Sequence, residues 1–248
     1  MQKDSLNNRS IAVIGSDSNL GKAVIDVLDS ENNNIIKVSR KSVKAEGNSS
    51  HKEIKCDLES NQDVESLTKY LNKTQTIKGL VFIAGGYPTY QDIDGTLEDW
   101  RNETLHLVQT HSTSYAYIAE SVLNNNEEVS IVYVSSTSTF WKGRRNMIYA
   151  AAKAHAEQMM LTICNEHKES TSRINVVRLG TMEKAFKAAS RDYDEKMHDS
   201  RIKMLPRGEA IKYRDVSIVI NFLLSSRSKA INGNIIRLDN GESVRGNN

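Results

Sequence analysis

Cysteine is scarce in this sequence of 248 residues. The two cysteines, Cys56 and Cys164, lie far apart and form no Cys-x-x-Cys pair. This usage argues against a disulfide framework and against structural zinc, and we predict no metal site. A reducing compartment, the cytoplasm, is the setting that such a sequence favours.

Long apolar segments and an excess of one charge are also lacking. No window approaches the roughly 18 apolar residues of a membrane span, and residues 1–10 have no apolar run of the kind found in signal peptides. The 33 basic residues nearly balance the 31 acidic ones, for a net charge of +2, without a long basic run. We therefore expect neither a membrane nor a nucleic acid as partner.

Short apolar runs alternate with segments of helical spacing along the whole chain. This alternation predicts an α/β fold with a seven-stranded parallel sheet and helices on both faces, in a single domain over residues 1–248. The charged segment within residues 181–206 is predicted to be a helical lid. The predicted strands are 11–14, 35–38, 53–56, 79–84, 131–134, 174–179 and 234–238, and the predicted helices are 20–28, 62–71, 97–123, 149–167 and 216–224.

Polar and small residues stand where the predicted strands end. In a parallel sheet these ends share one edge, and ligands bind outside that edge. We therefore expect six positions to line one site: Gly15, Ser39, Asp57, Gly85, Ser136 and Gly180.

Three side chains near the fifth predicted strand suggest proton-transfer chemistry. Ser136 closes the strand, and Tyr149 and Lys153 are four residues apart on the following helix, so they share a face. A free tyrosine has a pKa of about 10, and a neighbouring ammonium lowers it. A serine hydroxyl can hydrogen-bond an oxygen that is being reduced or oxidised.

The first two strand ends suggest a nucleotide site. A strand, a turn with Gly15 and Gly21, and a helix follow one another, as in phosphate-binding turns. The spacing fits neither Gly-x-Gly-x-x-Gly nor a Walker A loop, which disfavours ATP and GTP. Ser39 and Arg40 after the second strand offer a cation and no acid, which favours NADP(H) over NAD(H). A plain tight turn and a solvated basic loop are the structural alternatives.

On these motifs the chain resembles the short-chain dehydrogenase/reductase family. The family's Thr-Gly-x-x-x-Gly-x-Gly motif is similar to residues 14–21, with Ile14 for Thr and Asn19 for the middle glycine. Asparagine enters left-handed backbone conformations readily, so we expect it to be tolerated there. The resemblance implies a three-layer, Rossmann-like fold. It implies cofactor contacts from Gly15, Ser16, Ser18, Asn19, Leu20, Gly21, Ser39, Arg40, Asp57, Leu58, Ala84, Gly85, Tyr149, Lys153, Gly180 and Thr181.

The resemblance also implies a reaction and an assembly. Tyr149 would act as general acid or base, Lys153 would tune it and hold the nicotinamide ribose, and Ser136 would polarise the carbonyl. The expected substrate is a small carbonyl compound or alcohol. A homodimer or homotetramer is expected through the helices around residues 105–123 and 149–167, where the set Ala150–Ala152, Ala154 and Ala156 would permit close packing.

One departure from the family leaves the function open. The family usually carries an Asn in the helix after Trp100, and counting seven residues from Trp100 reaches Leu107. Alternatives are therefore a catalytically weak NADP(H)-binding sensor, and an NAD-dependent alcohol dehydrogenase, which Arg40 disfavours. An anionic substrate would suit Arg144, Arg145 and Arg178, although solvated surface arginines explain them equally well.

Overall fold

Seven parallel strands form one sheet in the computed structural model, which describes residues 9–41, 51–74, 77–83, 95–140, 146–183 and 195–244, with the backbone alone at 195–197. The strand order is β3-β2-β1-β4-β5-β6-β7. The order reverses between β1 and β4, which is where α/β sheets bind ligands. The strands are β1 Ser10–Ile14, β2 Asn34–Ser39, β3 Lys52–Lys55, β4 Ile77–Phe82, β5 Ser130–Ser136, β6 Arg173–Leu179 and β7 Ile235–Leu238.

Seven α-helices are described within these ranges, and they cover both faces of the sheet. Among them α1 and α7 pack on one face, and α2, α4 and α5 pack on the other. The predicted α/β class and the parallel seven-stranded sheet are confirmed. The helices are α1 Asn19–Asp29, α2 Asn61–Lys73, α3 Leu97–Val108, α4 Ser114–Asn125, α5 Met147–Glu166, α6 Glu195–Met204 and α7 Tyr213–Leu224.

Side-chain caps explain where several helices begin. Ser18 accepts a hydrogen bond from the Gly21 N–H before α1, and Ser60 accepts one from Asp63 before α2. Thr96 and Asp99 form a reciprocal capping box at the start of α3. Such caps satisfy amide groups that have no partner within the helix.

The long helix predicted over 97–123 is interrupted. A π-helical turn, Gln109–Thr113, separates α3 from α4. Such turns insert an extra residue and change which side chains face a neighbouring element. Of the predicted lid, α6 is described and residues 184–194 lie outside the described ranges. None of the described helices has the length and apolarity needed to cross a membrane.

Candidate active site

The turn between β1 and α1 is tight, as its glycines predicted. Gly15 has a φ of +98°, a conformation that favours glycine. A Cβ at Gly21 would lie 2.2 Å from the Gly15 carbonyl oxygen, so only glycine fits there. The Ser18 hydroxyl donates to the same carbonyl at 2.8 Å. The turn thus brings the N-terminus of α1 close to the strand end, where a phosphate can bind.

Asn19 does not replace the family's middle glycine by a left-handed backbone. It is the first residue of α1, and it is absent from the residues with positive φ. Its side chain hydrogen-bonds Tyr213 of α7, whose pKa is raised by burial. The exchange is therefore tolerated because the position is helical, which corrects the explanation based on left-handed conformation.

A cavity of about 220 Å³ lies beyond the ends of β2 and β3. Arg40, the cation expected to mark this place, is exposed at the end of β2 and is not among the described lining residues. Three lysines and one acid are among the residues that line the cavity. The lining residues are Ser16, Lys37, Ser39, Lys41, Glu53, Ile54 and Lys55. Lys37 and Glu53 form an ion pair at 3.8 Å.

The cofactor contacts predicted after β3 lie within the described residues, whereas those predicted after β4 do not. Asp57 is partly buried and its Oδ1 accepts the Glu59 N–H at 3.1 Å. Leu58 is buried, and its carbonyl accepts the Ser114 hydroxyl at 2.7 Å. The bond from Ser114 joins the segment after β3 to α4. Ala84 and Gly85 lie outside the described residues.

Ser136 is the last residue of β5 and is half-buried. Its hydroxyl donates to the Ser138 hydroxyl at 3.0 Å, and the Asn146 side-chain amide donates to Ser138 at 2.8 Å. Among the described residues the Asn146 Oδ1 is buried without a hydrogen-bond partner. The sequence interpretation overlooked Ser138 and Asn146, although their nearness to Ser136 and Tyr149 was visible in the sequence.

Lys153 is buried next to the Tyr149 ring. Its Nζ donates to the Val134 carbonyl at 2.9 Å, two residues before Ser136. It also lies 4.9 Å from the centre of the Tyr133 ring and 5.9 Å from that of Tyr149. Burial lowers the pKa of Lys153 from 10.5 to about 7, against the opposing influence of the Glu157 charge. The three predicted catalytic side chains thus belong to one small region at the end of β5.

His111 is a site residue that counting along the helix missed. It lies in the π-helical turn and only 1% of it is exposed. Its imidazole meets the Tyr149 ring edge-on, with centroids 5.4 Å apart and planes at 87°, and its carbonyl accepts the Tyr133 hydroxyl at 3.1 Å. Leu107, where counting placed the family's Asn, is fully buried. No motif in the sequence points to His111, yet its ring contacts the candidate catalytic tyrosine.

Arg178 is committed to an internal partner. It binds the buried Glu157 carboxylate with two hydrogen bonds, at 2.8 and 2.6 Å, and Glu157 also accepts the Ser135 hydroxyl at 2.6 Å. The Glu157 contact raises the pKa of Arg178. The suggestion that Arg178 receives an anionic substrate is thus disfavoured, while Arg144 and Arg145 lie outside the described residues.

The C-terminal segment closes over Gly180 and Thr181 at the end of β6. The Glu242 carboxylate accepts the Thr181 N–H at 2.9 Å and contacts its hydroxyl at 3.1 Å. Arg201 of α6 donates to the same carboxylate at 2.8 Å. A Cβ at Gly180 would lie 2.7 Å from Glu242 and 2.8 Å from Asp239. In this arrangement Gly180 makes room for the C-terminal segment, and both donors of Thr181 are engaged by it.

With this geometry in view, comparisons with known proteins identify the family. A family model described as Enoyl-(Acyl carrier protein) reductase matches residues 16–243. The chain belongs to the short-chain dehydrogenase/reductase family. The predictions of this family and of an NAD(P)-dependent enzyme are thereby confirmed.

Individual relatives are distant but cover most of the chain. Enoyl-[acyl-carrier-protein] reductase [NADH] FabI of Aquifex aeolicus is 24% identical over 206 residues, 82% of this chain and 76% of its own length. 3-Oxoacyl-[acyl-carrier-protein] reductase MabA of Mycobacterium bovis is 21% identical over 234 residues, 94% of this chain and 92% of its own. A crystal structure of a short chain dehydrogenase from Bacillus anthracis superposes with a TM-score of 0.82 at 17% identity, covering 97% of this chain and 98% of that one.

Proposed function

We propose that this dehydrogenase/reductase is an NADP(H)-dependent carbonyl reductase that acts on a small ketone or the corresponding alcohol. The observation that carries the proposal is Lys153, buried against the Tyr149 ring and bonded to the Val134 carbonyl beside Ser136. An ammonium held this close to a phenol favours the phenolate and makes the hydroxyl a stronger acid.

The residues at the strand ends fit a dinucleotide. The Gly15–Gly21 turn leaves no room for a side chain where backbone must approach a phosphate, and the lysines at the ends of β2 and β3 suit an adenosine ribose that carries a 2′-phosphate. When bound, the nicotinamide cofactor supplies or accepts the hydride. Lys37, Lys41 and Lys55 support NADP(H), in addition to the predicted contact from Arg40.

In the proposed reduction, this chain handles the proton and the developing charge. Tyr149 gives its hydroxyl proton to the carbonyl oxygen, and in the reverse direction takes a proton from the alcohol. Ser136 donates a hydrogen bond to the same oxygen, which offsets the negative charge that grows there. Lys153 stabilises the tyrosinate that remains, because its ammonium lies over the ring.

A catalytically weak NADP(H)-binding sensor is the second candidate. The observation that favours it is the Glu242 carboxylate, which occupies both donors of Thr181 at a predicted cofactor position. Turnover would then require this contact to be released. The presence of Ser136, Tyr149 and Lys153, the three predicted catalytic residues, favours the reductase.

Kinetics with Tyr149→Phe separate the two candidates. We expect the wild type to oxidise NADPH with members of a panel of ketones, aldehydes and acyl thioesters. Tyr149→Phe should lower kcat at least 100-fold, the usual scale of general acid catalysis, while the Kd for NADPH changes less than threefold. NADPH binding without turnover on the panel, and without an effect of Tyr149→Phe, would support the sensor instead.

The assembly is also proposed to be a homodimer or homotetramer. Leu97 and Leu105 of α3 and Met147 of α5 are large apolar side chains that are more than half exposed, and these two helices pack against each other on one face of the sheet. Ala152 and Ala156, once assigned to the interface, are buried in the core instead. The apolar surface between α3 and α5 is thus the proposed interface.

A further inference from the structure

Glu157 is a buried carboxylate that the proposed reaction does not use. It lies one helical turn after Lys153 on α5, and only 4% of it is exposed. A charge taken out of water this fully is costly unless it is paired and hydrogen-bonded. Its position so close to the candidate catalytic lysine calls for an explanation beyond packing.

The contacts of Glu157 fix it tightly from two strands. Ser135 of β5 donates to Oε1 at 2.6 Å, and Arg178 of β6 donates to Oε1 at 2.8 Å and to Oε2 at 2.6 Å. Ser135 directly precedes Ser136. The guanidinium of Arg178 also lies 5.3 Å from the centre of the Phe140 ring, which limits its movement. The carboxylate is therefore held in place by Ser135 and Arg178, one helical turn along α5 from Lys153.

Lys153 needs a counter-charge, because its surroundings are otherwise neutral or aromatic. Tyr133 of β5 and Tyr149 of α5 present ring faces to its Nζ, which donates a hydrogen bond to the Val134 carbonyl. His111 faces the same Tyr149 ring from the π-helical turn. Among these described groups and Arg178, Glu157 alone carries negative charge. Desolvation lowers the pKa of Lys153, and Glu157 acts in the opposite direction.

We propose that Glu157, fixed by Ser135 and Arg178, is a positioning residue that keeps Lys153 in its ammonium form. It touches neither substrate nor cofactor and acts through Lys153. The proposal rests on the proposed function only for its kinetic consequence, since the protonation of Lys153 can be followed without a substrate. An ammonium is required to stabilise the tyrosinate, so loss of the counter-charge slows the reaction as the pH rises.

The direct test is an NMR titration of the lysine side chains in 13C-lysine-labelled protein, with the Lys153 signal assigned from its loss in Lys153→Met. Glu157→Gln should shift the Lys153 midpoint down by about one pH unit or more, because removal of a nearby opposite charge disfavours the cation. Arg178→Gln should leave the midpoint unchanged or raise it, because the carboxylate loses its neutralising partner. Ser135→Ala, which removes a hydrogen bond without changing charge, is the matched control and should leave the midpoint within a few tenths of a unit.

The opposite effects of the two charge variants distinguish a counter-charge from a structural brace. A brace would loosen the site in both variants and move the midpoint in the same direction. Equal downward shifts in Glu157→Gln and Arg178→Gln, or no shift in Glu157→Gln, would therefore overturn the proposal. If Glu157→Gln does not fold, Glu157→Gln combined with Arg178→Leu removes both charges and should still lower the midpoint.

Kinetics with NADPH and the best carbonyl of the panel provide the second readout. In Glu157→Gln the decline of kcat on the alkaline side should begin about one pH unit lower than in the wild type, with the KM for NADPH changed less than threefold. If no carbonyl is reduced, the proposed function fails while the titration still decides the role of Glu157. If turnover is found but Glu157→Gln leaves the titration midpoint of Lys153 unchanged, this inference fails and the proposed function stands.

Discussion

His111 lies in the π-helical turn between α3 and α4, and its ring contacts that of Tyr149. The turn is held on two sides, since the Tyr133 hydroxyl binds the His111 carbonyl and the Ser112 hydroxyl pairs with His155 of α5 at 2.6 Å. Such turns are frequent at functional sites. The edge-on imidazole restricts the rotation of the phenol ring, and this points to a role for His111 in orienting the Tyr149 hydroxyl.

Substitutions of His111 distinguish the role of its aromatic ring from the role of its nitrogen atoms. We expect His111→Ala to lower kcat about tenfold with an unchanged Kd for NADPH, because the ring contact is lost. His111→Phe keeps an aromatic edge and should stay within about threefold of the wild type. Steady-state kinetics and fluorescence titration with NADPH measure both effects. If His111→Phe is as slow as His111→Ala, the imidazole nitrogens themselves take part in proton transfer and ring orientation is not the role.

No count along the sequence could have found His111. A regular helix from Trp100 places Leu107, four residues earlier, at the family's Asn position, and Leu107 is buried in the structure. The interruption depends on contacts with β5 and α5 that are remote in sequence. By contrast, Tyr149 and Lys153 could be predicted as a pair, because their spacing fixes a shared helix face whatever surrounds them.

At the scale of elements, the residues at the ends of β2 and β3 bear on the proposed preference for NADP(H). The predicted cation, Arg40, follows β2 directly in sequence, but Lys55 comes from β3 and Lys37 points into the cavity from within β2. Local sequence shows the end of a strand, whereas the charge of a cavity is a sum over neighbouring strands. Glu53 lines the same cavity and is the acid that a free 2′-hydroxyl would prefer.

Charge substitutions at this cavity test the preference for NADP(H). Lys41→Gln should weaken NADPH binding roughly tenfold and leave NADH binding within about twofold, because only the 2′-phosphate loses an ionic partner. Glu53→Gln, the matched control of opposite charge, should strengthen NADPH binding. Both dissociation constants can be measured by cofactor fluorescence at fixed ionic strength. Equal weakening of NADPH and NADH in Lys41→Gln, or tighter wild-type binding of NADH, would refute the preference.

For the whole molecule, the strands and their parallel arrangement could be predicted from the sequence, whereas contacts between distant side chains could not. The seven strands were placed within about two residues, since apolar runs bounded by turns leave few alternatives. The parallel order followed from the alternation with helices. The contacts of the C-terminal segment were not predictable: Glu242 reaches Thr181 and Arg201 across 61 and 41 residues of sequence, and no periodicity encodes such pairs. The single domain over residues 1–248 and the cytoplasmic location stay predictions.

The exposed apolar side chains bear on how whole molecules assemble. Leu105 of α3 is 67% exposed, and Ile218 of α7, on the opposite face of the sheet, is 50% exposed. A glutamate at an exposed position has little effect on the folded monomer but is costly within an apolar interface. We therefore expect the wild type to be a dimer or tetramer by size-exclusion chromatography with light scattering.

Leu105→Glu should shift that assembly to smaller species without changing the midpoint of thermal unfolding. Ile218→Glu should leave the assembly intact, because the contact through α3 and α5 is retained. The two variants carry the same added charge, so a difference between them reports on position rather than on net charge. Dissociation by Ile218→Glu alone would locate the interface on α7 instead. A monomeric wild type would refute the proposed assembly altogether, and the apolar side chains of α3 would then require another explanation.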